Sequence, residues 1–134
     1  MMTMRIYNNL PRPAFTPERI TALRADEVFV FGSNLAGMHG GGAARLAYER
    51  FGAVWGCGVG LQGQSYAIPT MQGGVDTIRP YVDQFIDFAR FRPDLFFFVT
   101  RIGCGIAGFT DAEIAPLFFA ARIVPNICLP ESFM

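Results

Sequence analysis

The sequence predicts a single α/β domain in three layers, with a mostly parallel sheet between layers of helices. Two mainly apolar runs, Val28–Phe31 and Leu95–Thr100, are typical of strands that are covered on both faces. Between them, Asp76–Arg92 has apolar residues at spacings of three and four, which indicates an amphipathic helix. Strands that alternate with helices favour a parallel sheet with helical crossovers. The 134 residues fit one hydrophobic core, so we expect one domain over residues 1–134.

The N-terminal segment is expected to contribute one edge strand and one short helix. Weak alternation over Met4–Asn8 predicts the edge strand. The proline-rich Pro11–Pro17 predicts an extended loop. Within Thr16–Arg24, a threonine at the N-cap and a proline at the first helical position predict the helix. The first buried strand then covers Glu27–Phe31.

The middle of the chain is expected to alternate helices with one further strand. Gly42–Phe51 reads as a helix whose small residues allow close packing. Gly52–Gly63 holds too many glycines for a regular element, so we expect an irregular loop or short hairpin before the strand Ser65–Ile68. In the long helix, Asp76 or the threonine after it is the expected N-cap. Pro80 is then placed in the first turn, where its missing N–H costs little.

The C-terminal segment predicts a capped helix and a last strand. Thr110 and Glu113 have the spacing of a capping box. Pro116 predicts a kink in this helix or a later start. The last strand is expected within Ile123–Leu129, weakened by a proline.

Composition narrows the functional classes. The net charge is zero, with 11 acidic residues and 11 basic residues that are all arginine, so no basic groove for nucleic acid or an anionic membrane is indicated. The absence of lysine excludes Schiff-base chemistry. The three cysteines (Cys57, Cys104 and Cys128) lack metal-site spacing, so we expect no zinc site, no disulfide framework and a reducing compartment. Without a signal peptide or a long apolar run, a cytoplasmic protein is expected.

The glycine-rich loop that follows the first buried strand is the first candidate site. It leads through Gly40, Gly41 and Gly42 directly into a predicted helix. A helix N-terminus offers free N–H groups and the positive end of a dipole, and glycine lets a phosphate approach the backbone closely. The spacing is equally consistent with a nucleotide-phosphate site and with a tight structural turn.

A second glycine-rich loop follows the second buried strand. Thr100–Phe109 contains three glycines and precedes the capped helix. In an open α/β sheet, ligands bind beyond the carboxyl ends of the strands. Two such loops at one edge would hold an elongated phosphate ligand from both sides, although both would also serve as plain connectors. Having two of them favours the ligand site.

These loops resemble the ligand loops of macrodomains, the α/β domains that bind ADP-ribose. The resemblance is carried by GSNLAGMHGGGAA and RIGCGIAGF, with SYAIPT between them, and it spans roughly residues 28 to 118. It is strongest to the branch that includes the terminal ADP-ribose protein glycohydrolases, whose members have a small-residue loop of the form MGAGIA and a following RIGCG. The resemblance implies a macrodomain-like three-layer α/β/α fold.

The resemblance also implies the ligand contacts. The amides of Gly40–Gly42 and the Gly105–Gly108 loop would surround the diphosphate of ADP-ribose, Asn34 would hydrogen-bond the distal ribose, and Phe109 would lie against that ribose. The implied ligand-binding residues are Ser33, Asn34, Gly40, Gly41, Gly42, Gly103, Cys104, Gly105, Ile106, Ala107, Gly108 and Phe109.

The chain departs from this branch at its catalytic positions. Met71 stands where the branch has a lysine, and Ala107 stands where it has an aspartate. If ADP-ribosyl hydrolysis occurs, the candidate catalytic residues are therefore Asn34 and His39, the only histidine. Cys104 reads better as a small packing residue than as a nucleophile.

The sequence thus predicts binding of ADP-ribose or a related nucleotide diphosphate, with hydrolysis of an ADP-ribosylated substrate as a further hypothesis. No cofactor or metal is expected, and the oligomeric state stays open. The alternative is a non-catalytic interaction or oligomerisation module that retains the fold.

Overall fold

A five-stranded, mostly parallel sheet forms the centre of the computed structural model, which describes residues 4–134. In chain order the strands are β1 (Met4–Tyr7), β2 (Leu10–Pro13), β3 (Glu27–Ser33), β4 (Gly60–Gln62), β5 (Ser65–Pro69), β6 (Phe96–Val99) and β7 (Ile127–Cys128). The central sheet has the order β4-β5-β3-β6-β7, and only β4 is antiparallel to its neighbour. The mixed α/β fold with a mostly parallel sheet is therefore confirmed.

Three α-helices and two 3₁₀ helices connect or follow these strands. They are α1 (Gly42–Arg50), α2 (Val75–Arg90), α3 (Asp111–Ile114) and 3₁₀ helices over Ala115–Ile123 and Glu131–Phe133. The capping box predicted for α3 is present, because Thr110 Oγ accepts from the Glu113 amide while the Glu113 carboxylate accepts from the Thr110 amide. The helix does not start later, as one of the two expectations for Pro116 had it; it starts at Asp111 and changes from α to 3₁₀ geometry at Ala115, next to Pro116.

Both faces of β3 are buried, as its uninterrupted apolar run predicts. Val28 and Val30 belong to one hydrophobic cluster, which includes residues of α2 and of the Ala115–Ile123 helix. Phe29 and Phe31 belong to the other cluster, which includes the small residues of α1. The helices that follow β3 and β6 therefore pack on opposite faces of the sheet.

The predicted N-terminal strand is present as β1, but two other predictions for this segment are wrong. β1 pairs with β2 in a separate antiparallel hairpin, so residues 11–13 of the expected extended loop Pro11–Pro17 belong to a strand. The turn of this hairpin uses Asn8 and Asn9 at φ 50° and 62°. No helix forms over residues 16–24, because the Thr16 amide and hydroxyl are hydrogen-bonded to Leu129 O and Cys128 O beside β7 instead of starting a helix.

Three smaller corrections concern the ends of elements. The N-cap of α2 is Gly74, and Thr77 Oγ1 donates to its carbonyl at 2.6 Å rather than capping the helix. Pro80 consequently lies in the second turn instead of the first. The last strand contains only Ile127 and Cys128, because Ile123 closes a 3₁₀ helix and Asn126 donates its side-chain amide to three carbonyls before the strand begins.

A buried arginine fastens the hairpin to the central sheet. The Arg12 side chain is fully buried and donates to both carboxylate oxygens of Asp26, at 3.0 and 2.7 Å, and to Glu27 at 3.0 Å. It also donates to Tyr7 O and lies 5.0 Å from the centre of the Phe96 ring. Such a buried pair is costly to break, because removing one partner leaves an uncompensated charge.

In the described part of the chain, no helix is long and apolar enough to cross a membrane.

Candidate functional site

The candidate site lies between β3 and β6, where the order in which the chain adds strands to the sheet reverses. After β3 the chain adds β4 and β5 on one side, and it then adds β6 and β7 on the other. Strands β3 and β6 are parallel neighbours, so their carboxyl ends meet at the same edge. After β3 the chain packs α1 on one face, and after β6 it packs α3 and the following 3₁₀ helix on the other. A crevice opens at such a reversal, and ligands in open α/β sheets bind there.

A cavity of about 230 Å³ occupies this crevice. Its walls come from the loop after β3, the start of α1, the end of β5 and the loop after β6. The lining residues are Gly32, Ser33, Asn34, Met38, Gly41, Gly42, Ala43, Ala44, Thr70, Met71, Thr100, Arg101, Ile102, Gly103, Gly105, Ile106 and Ala107. The two glycine-rich loops predicted to face each other therefore line one cavity.

A larger cavity of about 1390 Å³ adjoins the small one. It lies beside α1 and is lined by residues 15–21 of the irregular N-terminal segment and by residues 130–132 near the C-terminus. Gly42, Ala43, Thr100 and Arg101 line both cavities. The cavities consequently meet at the first residues of α1 and the first residues after β6.

The glycines at the start of α1 leave room for a ligand. A Cβ at Gly40 would meet no atom within 4 Å, and a Cβ at Gly41 would meet only Ile106 Cδ1, at 3.3 Å. Gly42 has φ +58°, a conformation that favours glycine. Across the cleft, a Cβ at Gly105 would also face open space. Because α1 begins here, its first N–H groups have no partners within the helix.

Asn34 shapes the first loop with its side chain. Its Oδ1 accepts from the Met38 amide at 2.9 Å, and its Nδ2 donates to Met38 O at 3.0 Å. The preceding Ser33 hydroxyl donates to Gly58 O, which ties this loop to the segment before β4. Both residues line the small cavity, but these hydrogen bonds use the groups that sequence reasoning assigned to a ribose.

His39 lies outside both cavities, which contradicts its expected place beside a ligand. Its ring is 1% exposed, and Nε2 lies 2.9 Å from Val54 O and 3.1 Å from Cys57 O. Phe31 contacts the ring edge-on. Because Nε2 faces two carbonyl acceptors, we assign it the proton. His39 thus holds residues 54–57 in place and lies away from the cavities that a catalytic role would require it to line.

Arg101 stands at the junction of the two cavities. Its Nε and Nη2 donate to the two carboxylate oxygens of Asp111 at 3.0 and 2.8 Å. Asp111 Oδ1 also accepts from Ser132 Oγ at 3.0 Å and from Cys104 Sγ at 3.5 Å. The Arg101 hydrogen bond lowers the pKa of Asp111, so this carboxylate is charged at neutral pH.

The same surroundings make Cys104 a poor nucleophile. Burial, reinforced by the neighbouring Asp111 carboxylate, raises the pKa of its thiol to about 11. Only the thiolate is an effective nucleophile, and very little of it exists at neutral pH. Cys104 also packs against the hydrophobic cluster that includes α2. The structure therefore favours the packing role that the sequence indicates.

The structure brings together most of the implied ligand-binding residues. Those that line the small cavity are Ser33, Asn34, Gly41, Gly42, Gly103, Gly105, Ile106 and Ala107. Those that line neither cavity are Gly40, Cys104, Gly108 and Phe109. Phe109 packs against the hydrophobic core instead of facing the cleft.

Sequence reasoning missed several residues of the cleft. Thr70 and Thr100 directly follow β5 and β6, so the rule of carboxyl strand ends would have identified them. Residues 15–21 and 130–132 carry no ligand-binding motif, and only the tertiary fold brings them to the larger cavity.

The chemical repertoire of the small cavity is narrow. Of its lining residues, Met71 and Ala107 are apolar at the two positions where the resemblance places a lysine and an aspartate. Among the residues that the structure describes, no group of three or more histidine, cysteine or carboxylate side chains is arranged to hold a metal ion. The cavity offers backbone amides, two threonines, Ser33, Asn34 and Arg101, a set suited to binding anions and hydroxyl groups.

No protein-family model, curated protein or solved structure was found to match the chain.

Proposed function

We propose that this protein binds ADP-ribose, or a closely related nucleotide diphosphate, across the two adjoining cavities. The observation that carries the proposal is the meeting of the cavities at the glycine-rich start of α1. ADP-ribose has a diphosphate at its centre, with a ribose on one side and adenosine on the other. Its most anionic part would thus lie where N–H groups and a helix dipole are available.

The different sizes of the two cavities support one orientation for the ligand. The cavity of about 230 Å³ would take the distal ribose, next to Asn34 and Thr70. The larger cavity would take adenosine, with Phe15 and Leu46 as apolar surface for the base. Asn34 would need to exchange one of its hydrogen bonds with Met38 to contact a ribose hydroxyl.

As part of this proposal, we describe the fold as a macrodomain-like α/β/α arrangement. Its support is the pair of hydrophobic clusters on opposite faces of the sheet. The sequence resemblance of the two ligand loops points in the same direction. An independent comparison of an experimentally determined structure with macrodomains would test it.

We propose binding without hydrolysis. Among the described residues, the small cavity is lined by no carboxylate, histidine or lysine that could act as a general acid or base. Wild-type protein should therefore release ADP-ribose from an ADP-ribosylated protein no faster than buffer alone. Release that Asn34→Ala abolishes would contradict this part of the proposal and support a hydrolase.

Isothermal titration calorimetry tests the binding proposal. We expect saturable heat with ADP-ribose, weaker heat with AMP, which lacks the distal ribose and one phosphate, and weaker binding of NAD, whose nicotinamide occupies the ribose end. No heat with ADP-ribose at millimolar concentration would refute the proposal. If sedimentation then showed a stable oligomer, the interaction-module alternative would be favoured.

A further inference from the structure

We infer that Arg101 is the side chain that binds the diphosphate, and that Asp111 fixes its guanidinium in the binding orientation. This inference rests on the proposed function. It adds a charged side-chain contact to a site that the glycine loops would otherwise form from backbone amides alone.

The position of Arg101 is the first argument. It lines both cavities, and the ligand's diphosphate must pass through the place where they meet. The other residues shared by the two cavities, Gly42, Ala43 and Thr100, carry no charge. Arg101 and the first residues of α1 line the same junction, so a phosphate bound there would be within the reach of both the helix N–H groups and the guanidinium.

The distribution of charge is the second argument. Among the described residues, Arg101 is the only charged side chain that lines the small cavity. The larger cavity also contains Arg19 and Arg50, but Glu18 and Glu131 oppose them. The electrostatic preference for an anion is therefore concentrated at the junction rather than in the larger cavity.

The pairing with Asp111 is the third argument. Two parallel hydrogen bonds hold Nε and Nη2, while Nη1 donates to no described residue. The Arg101 side chain is 60% exposed, so its remaining N–H groups are accessible to a ligand. A planar guanidinium held on one side presents its other N–H groups to phosphate with little further loss of freedom.

Calorimetry on variants tests the inference, with ADP-ribose, inorganic pyrophosphate and adenosine as probes. Arg101→Met should weaken binding of both phosphate compounds roughly ten- to hundredfold and leave adenosine within a factor of about two. Arg101→Lys should recover only part of the lost affinity, because lysine retains the positive charge but not the planar pair of N–H donors that binds phosphate bidentately. The matched control is Arg45→Met, which removes an equally exposed, carboxylate-paired arginine of α1 outside both cavities and should leave all three affinities unchanged.

The outcomes separate this inference from the proposed function. Wild-type affinity in Arg101→Met, or an equal loss in Arg45→Met, would overturn the inference and leave ADP-ribose binding intact. An equal loss for adenosine would show a structural role and would also overturn it. Arg101-dependent binding of pyrophosphate without binding of ADP-ribose would support the inference and overturn the proposed function. A wild-type protein that binds none of the probes would overturn both.

Discussion

Replacing Gly41 with glutamate should weaken ligand binding by roughly a hundredfold or more without unfolding the protein. Gly41 is the N-cap of α1 and has φ −155° and ψ 165°, an extended conformation that any residue adopts. A Cβ there would approach only Ile106 Cδ1, at 3.3 Å, and that side chain is 75% exposed and able to move. The new carboxylate would lie in the cavity proposed to hold the diphosphate.

The expected effect is large enough to measure. A carboxylate about 5 Å from one phosphate charge, at an effective dielectric constant of about 20, raises the free energy of binding by about 3 kcal/mol. This corresponds to roughly a hundredfold loss of affinity, before any steric effect is added. Calorimetry with ADP-ribose measures the loss, and thermal unfolding monitors the fold.

The chain provides a matched control for this substitution. Gly74 is the N-cap of α2, with φ −77° and open space around its Cβ position, and it lines neither cavity. Gly74→Glu should therefore bind ADP-ribose like wild type. Unchanged affinity in Gly41→Glu would place the phosphate site elsewhere and refute the reasoning.

Three further predictions concern stability. Arg12→Leu should lower the free energy of unfolding by about 3–5 kcal/mol in urea denaturation, since it leaves a buried carboxylate unpaired; a loss below 1 kcal/mol would contradict the fastening role. The hydrogen bond from Arg12 lowers the pKa of Asp26 in the folded protein. The ionised Asp26 therefore stabilises the fold above about pH 4, and this stabilisation is lost as the pH falls through the pKa that Asp26 has in the folded protein. Asp26→Asn should thus have a lower free energy of unfolding than wild type at pH 7, and the two values should converge in acid. A difference between the two free energies that does not change with pH would contradict this role of Asp26. Gly58→Ala should unfold at lower temperature than Gly74→Ala, because its Cβ would clash with Asn34 O, and equal melting temperatures would show that the loops separate readily.

The parts of the fold with a strong local signal were predictable from the sequence. The apolar run of β3 leads into α1 through glycines, and both elements occur where the pattern places them. The capping box at Thr110 was also predictable, because both of its hydrogen bonds are local. The hairpin of β1 and β2 also has a local sequence signal, because two consecutive asparagines suit a turn with positive φ.

Other features depend on tertiary contacts that no local pattern contains. Thr16 has the residue type and the following proline of a helix N-cap, but its hydrogen bonds to the β7 region outweigh that preference. His39 stands in the predicted ligand loop, yet its ring points into the packed side of the loop and bonds to carbonyls fifteen or more residues away. Arg101 follows the carboxyl end of β6, but its pairing with Asp111 and the larger cavity beside it depend on tertiary contacts.

The central claim is that the two glycine-rich loops hold one ligand between them, and amide chemical-shift mapping tests it most directly. Titration of ¹⁵N-labelled protein with ADP-ribose should shift the amide signals of Gly41, Gly42 and Gly105 together, with one saturation curve. The amide of Gly74 should stay unchanged in the same spectra. Saturable binding that shifts other amides and leaves both loops unaffected would contradict the account.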